Sequence, residues 1–161
     1  SITEFRTPEW RKLTRLGANP VLILDTSKGD IKIRMDVLNA PATISGLQSL
    51  IKENEYIGVP FHRVVPNFVI QGGDIETQNG FGGPDYVVPT EASSEQYERG
   101  KVGIASAGTD TEGSQFFIMN QWHPHLNGRY TIIGTVTEGM EVADRIVQGD
   151  LIRNVTWEWT W

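Results

Sequence analysis

Residues 61–74 read Phe61-His62-Arg63-Val64-Val65-Pro66-Asn67-Phe68-Val69-Ile70-Gln71-Gly72-Gly73-Asp74. Phe61–Val65 and Asn67–Gln71 are short β-rich runs, and Gln71-Gly72-Gly73-Asp74 is a glycine-dense turn. Arg63 is the one strongly charged residue in the apolar stretch from Phe61 to Phe68. Periodicity alone reads it as an arginine on the outer face of a strand. On the same terms Phe68, Phe116, Phe117 and Leu126 read as core, and Gln71 as a turn cap. Spacing does not separate these readings from a functional one.

The same texture continues to residue 136. Further short β-rich runs (VGIASA at 102–107, SQFFIMN at 114–120, YTIIGTV at 130–136) alternate with loops such as Asn79-Gly80-Phe81-Gly82-Gly83-Pro84. Many short strands joined by Gly/Pro turns predict a barrel or sandwich. Upstream, Val21–Met35 predicts a hairpin about Ser27-Lys28-Gly29, with Ile31, Ile33 and Met35 alternating with polar residues. Ala40–Asn54 predicts a helix: Pro41 sits in its first turn, and Ile44, Leu47, Leu50 and Ile51 share a face. Downstream, Glu138–Gln148 predicts a second helix, with Met140, Ala143 and Val147 on one face and Gly149 as its C-terminal cap. Val155, Trp157, Trp159 and Trp161 alternate with polar residues, which predicts a final strand with one aromatic face. Residues 1–20 are expected to form an N-terminal extension, packed on the domain or leading in from another one. Residues 21–161 then make one domain.

Composition narrows the function. With 161 residues, 39% hydrophobic and 21% charged, the chain can bury a core without metal or disulfide staples. The formal net charge is −6, and the basic residues cluster only at Arg11, Lys12 and Arg15, so nucleic acid is not an expected partner. There is no cysteine, which excludes thiol catalysis and cysteine-ligated zinc. A cysteine-free chain suits reducing and oxidising compartments alike, so cytoplasmic and extracytoplasmic locations both stand. No apolar run approaches the ~18 residues of a membrane span. The first residue is Ser1, which fits a processed form or a piece of a longer chain.

Several chemistries find little support. No G-x-S-x-G elbow accompanies Ser106 or Ser114. His123-Pro124-His125 could ligate a metal only with a third converging group, and no H-E-x-x-H or EF-hand spacing is present. Gly80, Gly82 and Gly83 do not form a phosphate loop. Asp25 with Asp30, and Asp110 with Glu112, read as turn residues on a solvated face.

Four segments taken together are more specific: FHRVVPNFVIQGGD at 61–74, NGFGGP at 79–84, VGIASAGTDTEGSQFFI at 102–118 and LNGRYTIIGTVTEGM at 126–140. In order and spacing, from about Val21 to Gly149, they resemble the cyclophilin family of peptidyl-prolyl cis/trans isomerases. The resemblance implies a mainly β fold: a closed eight-stranded antiparallel β-barrel capped by two α-helices, with a substrate groove on its outside. It implies that Arg63 is the catalytic arginine, with Phe68, Phe117 and Leu126 as walls of a proline pocket. Gln71 would orient Arg63 and bond the peptide backbone. Ala105, Ser106 and Ala107 would run beside the peptide, and Gln115 would be a further polar group of the groove. It implies proline-containing peptides and protein clients as partners, a monomer, and no cofactor or metal. Three positions depart from the common pattern: Val69 where many members have Met, His125 where many have Trp, and Tyr130 where many have His. His125 replaces a principal cyclosporin contact, so any cyclosporin binding is expected to be weak. The competing readings are a non-catalytic peptide-binding module, a metal-dependent barrel enzyme using His123 and His125, and a scaffold domain of a larger chain.

Overall fold

A computed structural model of the chain describes residues 4–5, 8–80, 82–84, 86–91, 93–106, 112–126 and 130–158. Ala107, Asp110, Trp159 and Trp161 of the sequence analysis lie outside the described residues. The first hairpin forms as expected: β2 (Val21–Thr26) pairs with β3 (Gly29–Met35) across a turn at Ser27-Lys28. Asp25 and Asp30 are paired strand residues rather than turn residues. The remaining strands are β1 (Glu4–Phe5), β4 (Arg63–Val65), β5 (Val69–Gly72), β6 (Tyr86–Val87), β7 (Lys101–Ser106), β8 (Glu112–Met119), β9 (Ile132–Glu138) and β10 (Ile152–Glu158). Eight of them form one antiparallel sheet in the order β10-β2-β3-β9-β7-β8-β5-β4, and β1 pairs in parallel with β6.

The sheet curls on itself, but closure is less complete than expected. No ladder joins the edge strands β4 and β10. The irregular segment 58–61 spans the gap instead: the Phe61 N–H donates to the Asp150 carbonyl at 2.8 Å, and the Ile152 N–H to the Val59 carbonyl at 2.9 Å. Pro60 sits in this seam opposite Leu151, and its missing N–H precludes a regular strand pair there.

Helix α2 (Pro41–Lys52) places Ile44, Leu47 and Leu50 on the barrel core, and α3 (Met140–Arg145) adds Val142 and Ala143. Helix α3 is shorter than the sequence predicts. Ile146 turns extended (ψ 132°), and the Val147 N–H donates to Asp150 Oδ2 at 2.8 Å. The Asp150 carboxylate also accepts from Ser27 Oγ at 2.9 Å and lies 3.3 Å from Lys28 Nζ, so it draws the chain off the helix toward the first hairpin. Gly149, with φ +93°, therefore belongs to this separate turn, and Val147 is exposed. A further helix, α1 (Trp10–Leu16), was not expected. It packs on α2 and inserts Leu13, 1% exposed, into the core. Its seven residues carry too short a pattern to stand out by periodicity.

Helix α2 lacks a side-chain N-cap at Ala40. Glu91 compensates from a distant loop: its carboxylate accepts the N–H groups of Ala42 (3.1 Å) and Thr43 (2.7 Å), and the Thr43 hydroxyl (2.7 Å). An anion bonding the orphan donors of a helix N-terminus is favourable both as a cap and against the helix dipole. Glu91→Ala is expected to lower unfolding free energy by about 2 kcal/mol in a urea titration.

The apolar residues divide into two clusters. One fills the barrel, including Ile70, Val102, Ile104, Phe116 and Ile118. The other lies on the outer face of the same strands: Val69, Tyr97, Phe117, Met119 and Ile132, flanked by Val65, Phe68, Ala105, Leu126 and Tyr130. Strands buried on both faces lose the simple apolar/polar alternation, which is why Phe116-Phe117-Ile118-Met119 reads as a continuous apolar run. Among the described residues the barrel interior holds an apolar cavity of about 30 Å³, room for about one water-sized group and too small for a peptide.

Candidate active site

The strand register brings the candidate residues together. Arg63 on β4 lies opposite Gln71 on β5, Gln71 opposite Phe117 on β8, and Phe117 opposite Gly103 on β7. Residues in register share a face of a sheet, so Arg63, Gln71 and Phe117 form one row across its outer side. Gly103 gives this row its room. A Cβ at that position would stand 2.6 Å from Phe117 Cζ and 3.0 Å from Tyr97 Cε1, so only glycine lets the Phe117 ring lie across β7. The β4–β5 turn runs through Pro66 and Asn67 (φ 57°), with the Phe68 N–H donating to the Val65 carbonyl at 3.1 Å. Proline at the second and a left-handed Asn at the third position suit such a tight turn, which delivers Phe68 to the end of the row.

The result is a cleft of about 240 Å³ lined by Arg63, Phe68, Val69, Gln71, Ala105, Phe117, Leu126 and Tyr130. Phe68, Val69, Ala105, Phe117 and Leu126 are its apolar walls, Gln71 and Tyr130 add polar groups, and Arg63 is the one formal charge among the lining residues. The Phe117 ring stacks on Tyr97 at 5.5 Å and meets Tyr130 edge-on at 5.7 Å. Leu126 comes from a 3-10 turn, Pro124–Leu126. Ala105 falls in a β-bulge, between the Ile104–Phe116 and Ser106–Glu112 pairs, where strands commonly re-aim the chain beside a site.

Arg63 is exposed yet held at two points. Its Nη1 donates to Gln71 Oε1 at 3.3 Å, and its Cζ lies 5.8 Å from the Phe68 ring centroid, within cation–π range. Gln71 Nε2 donates in turn to Gln115 Oε1 at 3.2 Å. Gln115 Nε2 donates to the carbonyls of Gly80 (3.0 Å) and Gly82 (2.9 Å). A hydrogen-bonded chain therefore runs from the 80–82 loop to the guanidinium.

That loop is organised by Asp74, which is fully buried. Its Oδ1 accepts the N–H groups of Glu76 and Thr77. Its Oδ2 accepts the Thr77 hydroxyl and the N–H groups of Asn79, Gly80 and Gly82. Burial alone would raise the Asp74 pKa, but these bonds overcome it and hold the carboxyl well below the usual carboxylate range. His62 packs beneath the loop against Gly80, and burial, with Arg63 adjacent, lowers its pKa.

A family model described as cyclophilin type peptidyl-prolyl cis-trans isomerase matches residues 21–158. The chain belongs to this family. Among curated relatives, peptidyl-prolyl cis-trans isomerase B of Bacillus subtilis is 44% identical over 72% of this chain and 82% of its own length. The peptidyl-prolyl cis-trans isomerase of Helicobacter pylori is 40% identical over 82% of this chain and 83% of its own. The crystal structure of a cyclophilin type isomerase from Cryptosporidium parvum superposes with a TM-score of 0.83 at 27% identity, covering 88% of this chain and 99% of that one. A second structure of that protein, in the presence of the dipeptide Ala-Pro, gives a TM-score of 0.81. The activity of the family is peptidyl-prolyl cis/trans isomerisation, and this cyclophilin-type chain is such an isomerase.

Of the twelve candidate site residues, eight line the cleft of this cyclophilin fold. Gln115 stands behind Gln71 rather than in the lining, because its amide is taken up by the 80–82 loop. His125 is exposed on the 3-10 turn and does not line the cleft. Ser106 ends β7. Ala107 lies outside the described residues. Among the described residues no three His, Asp or Glu side chains converge as a metal site: His62 packs on Gly80, and the His123 ring on Phe68. Sequence reasoning missed Tyr97, Asp74 and Gly103. The Gly-Gly-Asp turn was visible, but the acceptor role of Asp74 depends on a loop that folds back over it.

Proposed function

We propose that the cleft between β4, β5, β7 and the 3-10 turn is where the isomerase grips proline and twists the Xaa-Pro amide. The reading rests on one observation: a guanidinium held by Gln71 and Phe68 in a cleft that it shares with the apolar side chains of Phe68, Val69, Phe117 and Leu126. The barrier to rotation is about 18–20 kcal/mol because amide resonance gives the C–N bond double-bond character. As the amide twists, its nitrogen pyramidalises and gains a lone pair. A fixed donor aimed at that nitrogen binds the twisted state better than the planar one, which is the requirement for catalysis. Arginine suits the task because it stays charged. No bond breaks, so neither nucleophile nor metal enters the step.

Phe68, Phe117, Leu126 and Val69 would enclose the proline ring, with Tyr130 at the edge. Gln71 and the backbone of Ala105 and Ser106 would hold the peptide main chain, so that only the far side of the amide turns. Isomerisation of an Xaa-Pro tetrapeptide, followed by coupled proteolysis, tests the activity. Titration with Ala-Pro, followed by amide chemical shifts, tests the place. The largest shifts are expected at Phe68, Gln71, Ala105 and Phe117, and shifts concentrated on another face would move the site.

Cyclosporin binding is expected to be weak, because His125 presents less apolar area than Trp and projects into solvent. His125→Trp is expected to tighten it by about tenfold, equivalent to burying roughly 50 Å² more apolar surface. Calorimetric titration of both forms checks this, and equal affinities would remove His125 as the cause.

A further inference from the structure

His123 belongs to the His123-Pro124-His125 motif, and neither a metal site nor the lining of the cleft accounts for it. Its contacts are specific. The imidazole packs on the Phe68 ring with centroids 4.2 Å apart and planes at 51°. Its backbone N–H donates to the Tyr97 carbonyl at 3.0 Å, and its carbonyl accepts the Leu126 N–H at 3.3 Å. Tyr97 in turn backs the Phe117 ring. Three walls of the cleft, Phe68, Leu126 and Phe117, are thus tied to one residue that does not line it.

We propose that His123 is a positioning residue for the isomerase, acting through the Phe68 ring. This rests on the assignment of the cleft as the proline site. Phe68 sits on a tight turn whose backbone is fixed by its own bond to Val65 and by the Asn120 N–H, which donates to the Phe68 carbonyl at 2.8 Å. Those bonds fix the chain but not the ring. The ring's orientation is set by what packs on it: the apolar cluster that it flanks, Arg63 at 5.8 Å, and the imidazole of His123, which lies closest as a planar group. With centroids 4.2 Å apart the two rings are in direct contact, so the imidazole covers one face of Phe68 and limits how that ring can turn. Pro124, directly after His123, restricts the backbone of His123 and keeps the imidazole in place. Removing the imidazole frees the Phe68 ring to rotate into the cleft or away from it. The proline ring is gripped in both planar and twisted states, so the loss falls mainly on ground-state binding, which raises KM more than it lowers kcat.

The decisive comparison is among His123→Ala, His123→Phe and Arg63→Ala, each checked for fold by circular dichroism and assayed on one Xaa-Pro tetrapeptide. His123→Ala is expected to raise KM by about fivefold with kcat within about twofold of wild type. His123→Phe keeps a planar ring against Phe68 and is expected to restore KM to within about twofold. In the alanine variant the aromatic ring signals of Phe68 are expected to shift and narrow as the ring gains freedom. Wild-type KM in His123→Ala, or a phenylalanine variant as impaired as the alanine one, overturns the proposal. If His123→Ala does not fold, His123→Leu takes its place, because leucine fills volume without a planar face and is expected to raise KM by about threefold. Wild-type KM in that variant overturns the proposal as well. The Arg63→Ala arm separates the two readings: unchanged activity there removes the cleft assignment itself, whereas a loss there with no effect at His123 removes only the role of His123.

Discussion

Arg63→Ala is expected to lose about ten- to a hundredfold in kcat/KM on an Xaa-Pro tetrapeptide while keeping its fold. The range follows from the contact removed: a hydrogen bond from a charged group contributes about 1.5–3 kcal/mol, and each 1.36 kcal/mol is a decade in rate. The fold should survive because Arg63 is exposed, on the three-residue edge strand β4, and among the described residues its guanidinium meets the Gln71 amide and the face of Phe68, neither of which is in the barrel core. The loss should appear in kcat, since the donor binds the twisted amide and not the planar one. Arg63→Lys is expected to recover little, because a lysine ammonium lacks the planar fork that reaches Gln71 and the amide nitrogen together. Stopped-flow isomerisation assays of both variants check this. Wild-type kcat in Arg63→Ala would remove the arginine from the mechanism. The same arithmetic says that Arg63 supplies part of the acceleration, and that the enclosing walls and the main-chain grip must supply the rest.

Asp74→Asn is expected to destabilise the protein by at least about 3 kcal/mol. An Asn amide nitrogen in place of one carboxylate oxygen would face donors. On the Oδ2 side these are the Thr77 hydroxyl and the N–H groups of Asn79, Gly80 and Gly82. Water can reach part of this loop once it opens, so the figure is set near the cost of two lost charge-assisted bonds rather than all of them. The pH dependence has a definite sign. The folded-state pKa is depressed, so the Asp74 contribution is fully present above the unfolded carboxylate pKa of about 3.9 and is lost as pH falls from there toward the folded value. The Tm gap between wild type and Asp74→Asn should therefore be constant near neutrality and narrow below about pH 4. A gap independent of pH down to acid unfolding would show that the carboxylate charge is not what organises the loop. Because Gln115 bonds the carbonyls of Gly80 and Gly82, a loosened loop is also expected to lower kcat/KM modestly through Gln71 and Arg63.

The two sites share a lesson about what a chain can announce. Segment 61–74 and the Gly-Ser-Gln-Phe-Phe-Ile run at 113–118 were legible as strands and turns from local demands, but as a site only through the family pattern that they form together. So were the first hairpin and helix α2, whose periods are long enough to read. The short α1 and the early end of α3 were not, since each depends on a partner far along the chain: α2 for Leu13, and the Ser27-Lys28 turn for Asp150. His123 shows the same limit. In sequence it was half of a possible metal pair, and in space it is the surface against which Phe68 rests.

By itself the sequence determined the family pattern, and through that resemblance the antiparallel β architecture and most of the candidate cleft, whereas local spacing alone left Arg63, Phe68 and Gln71 readable as outer-face, core and turn residues. Only the tertiary structure decided that one strand face fills the barrel while the other carries a second apolar cluster, that Gly103 leaves room for Phe117, and that a segment around Pro60 rather than a strand pair closes the barrel seam. It also decided which groups stand behind Arg63. Strand register, and a loop folding back onto Asp74, set those distances, and both arise from contacts between residues far apart in the chain.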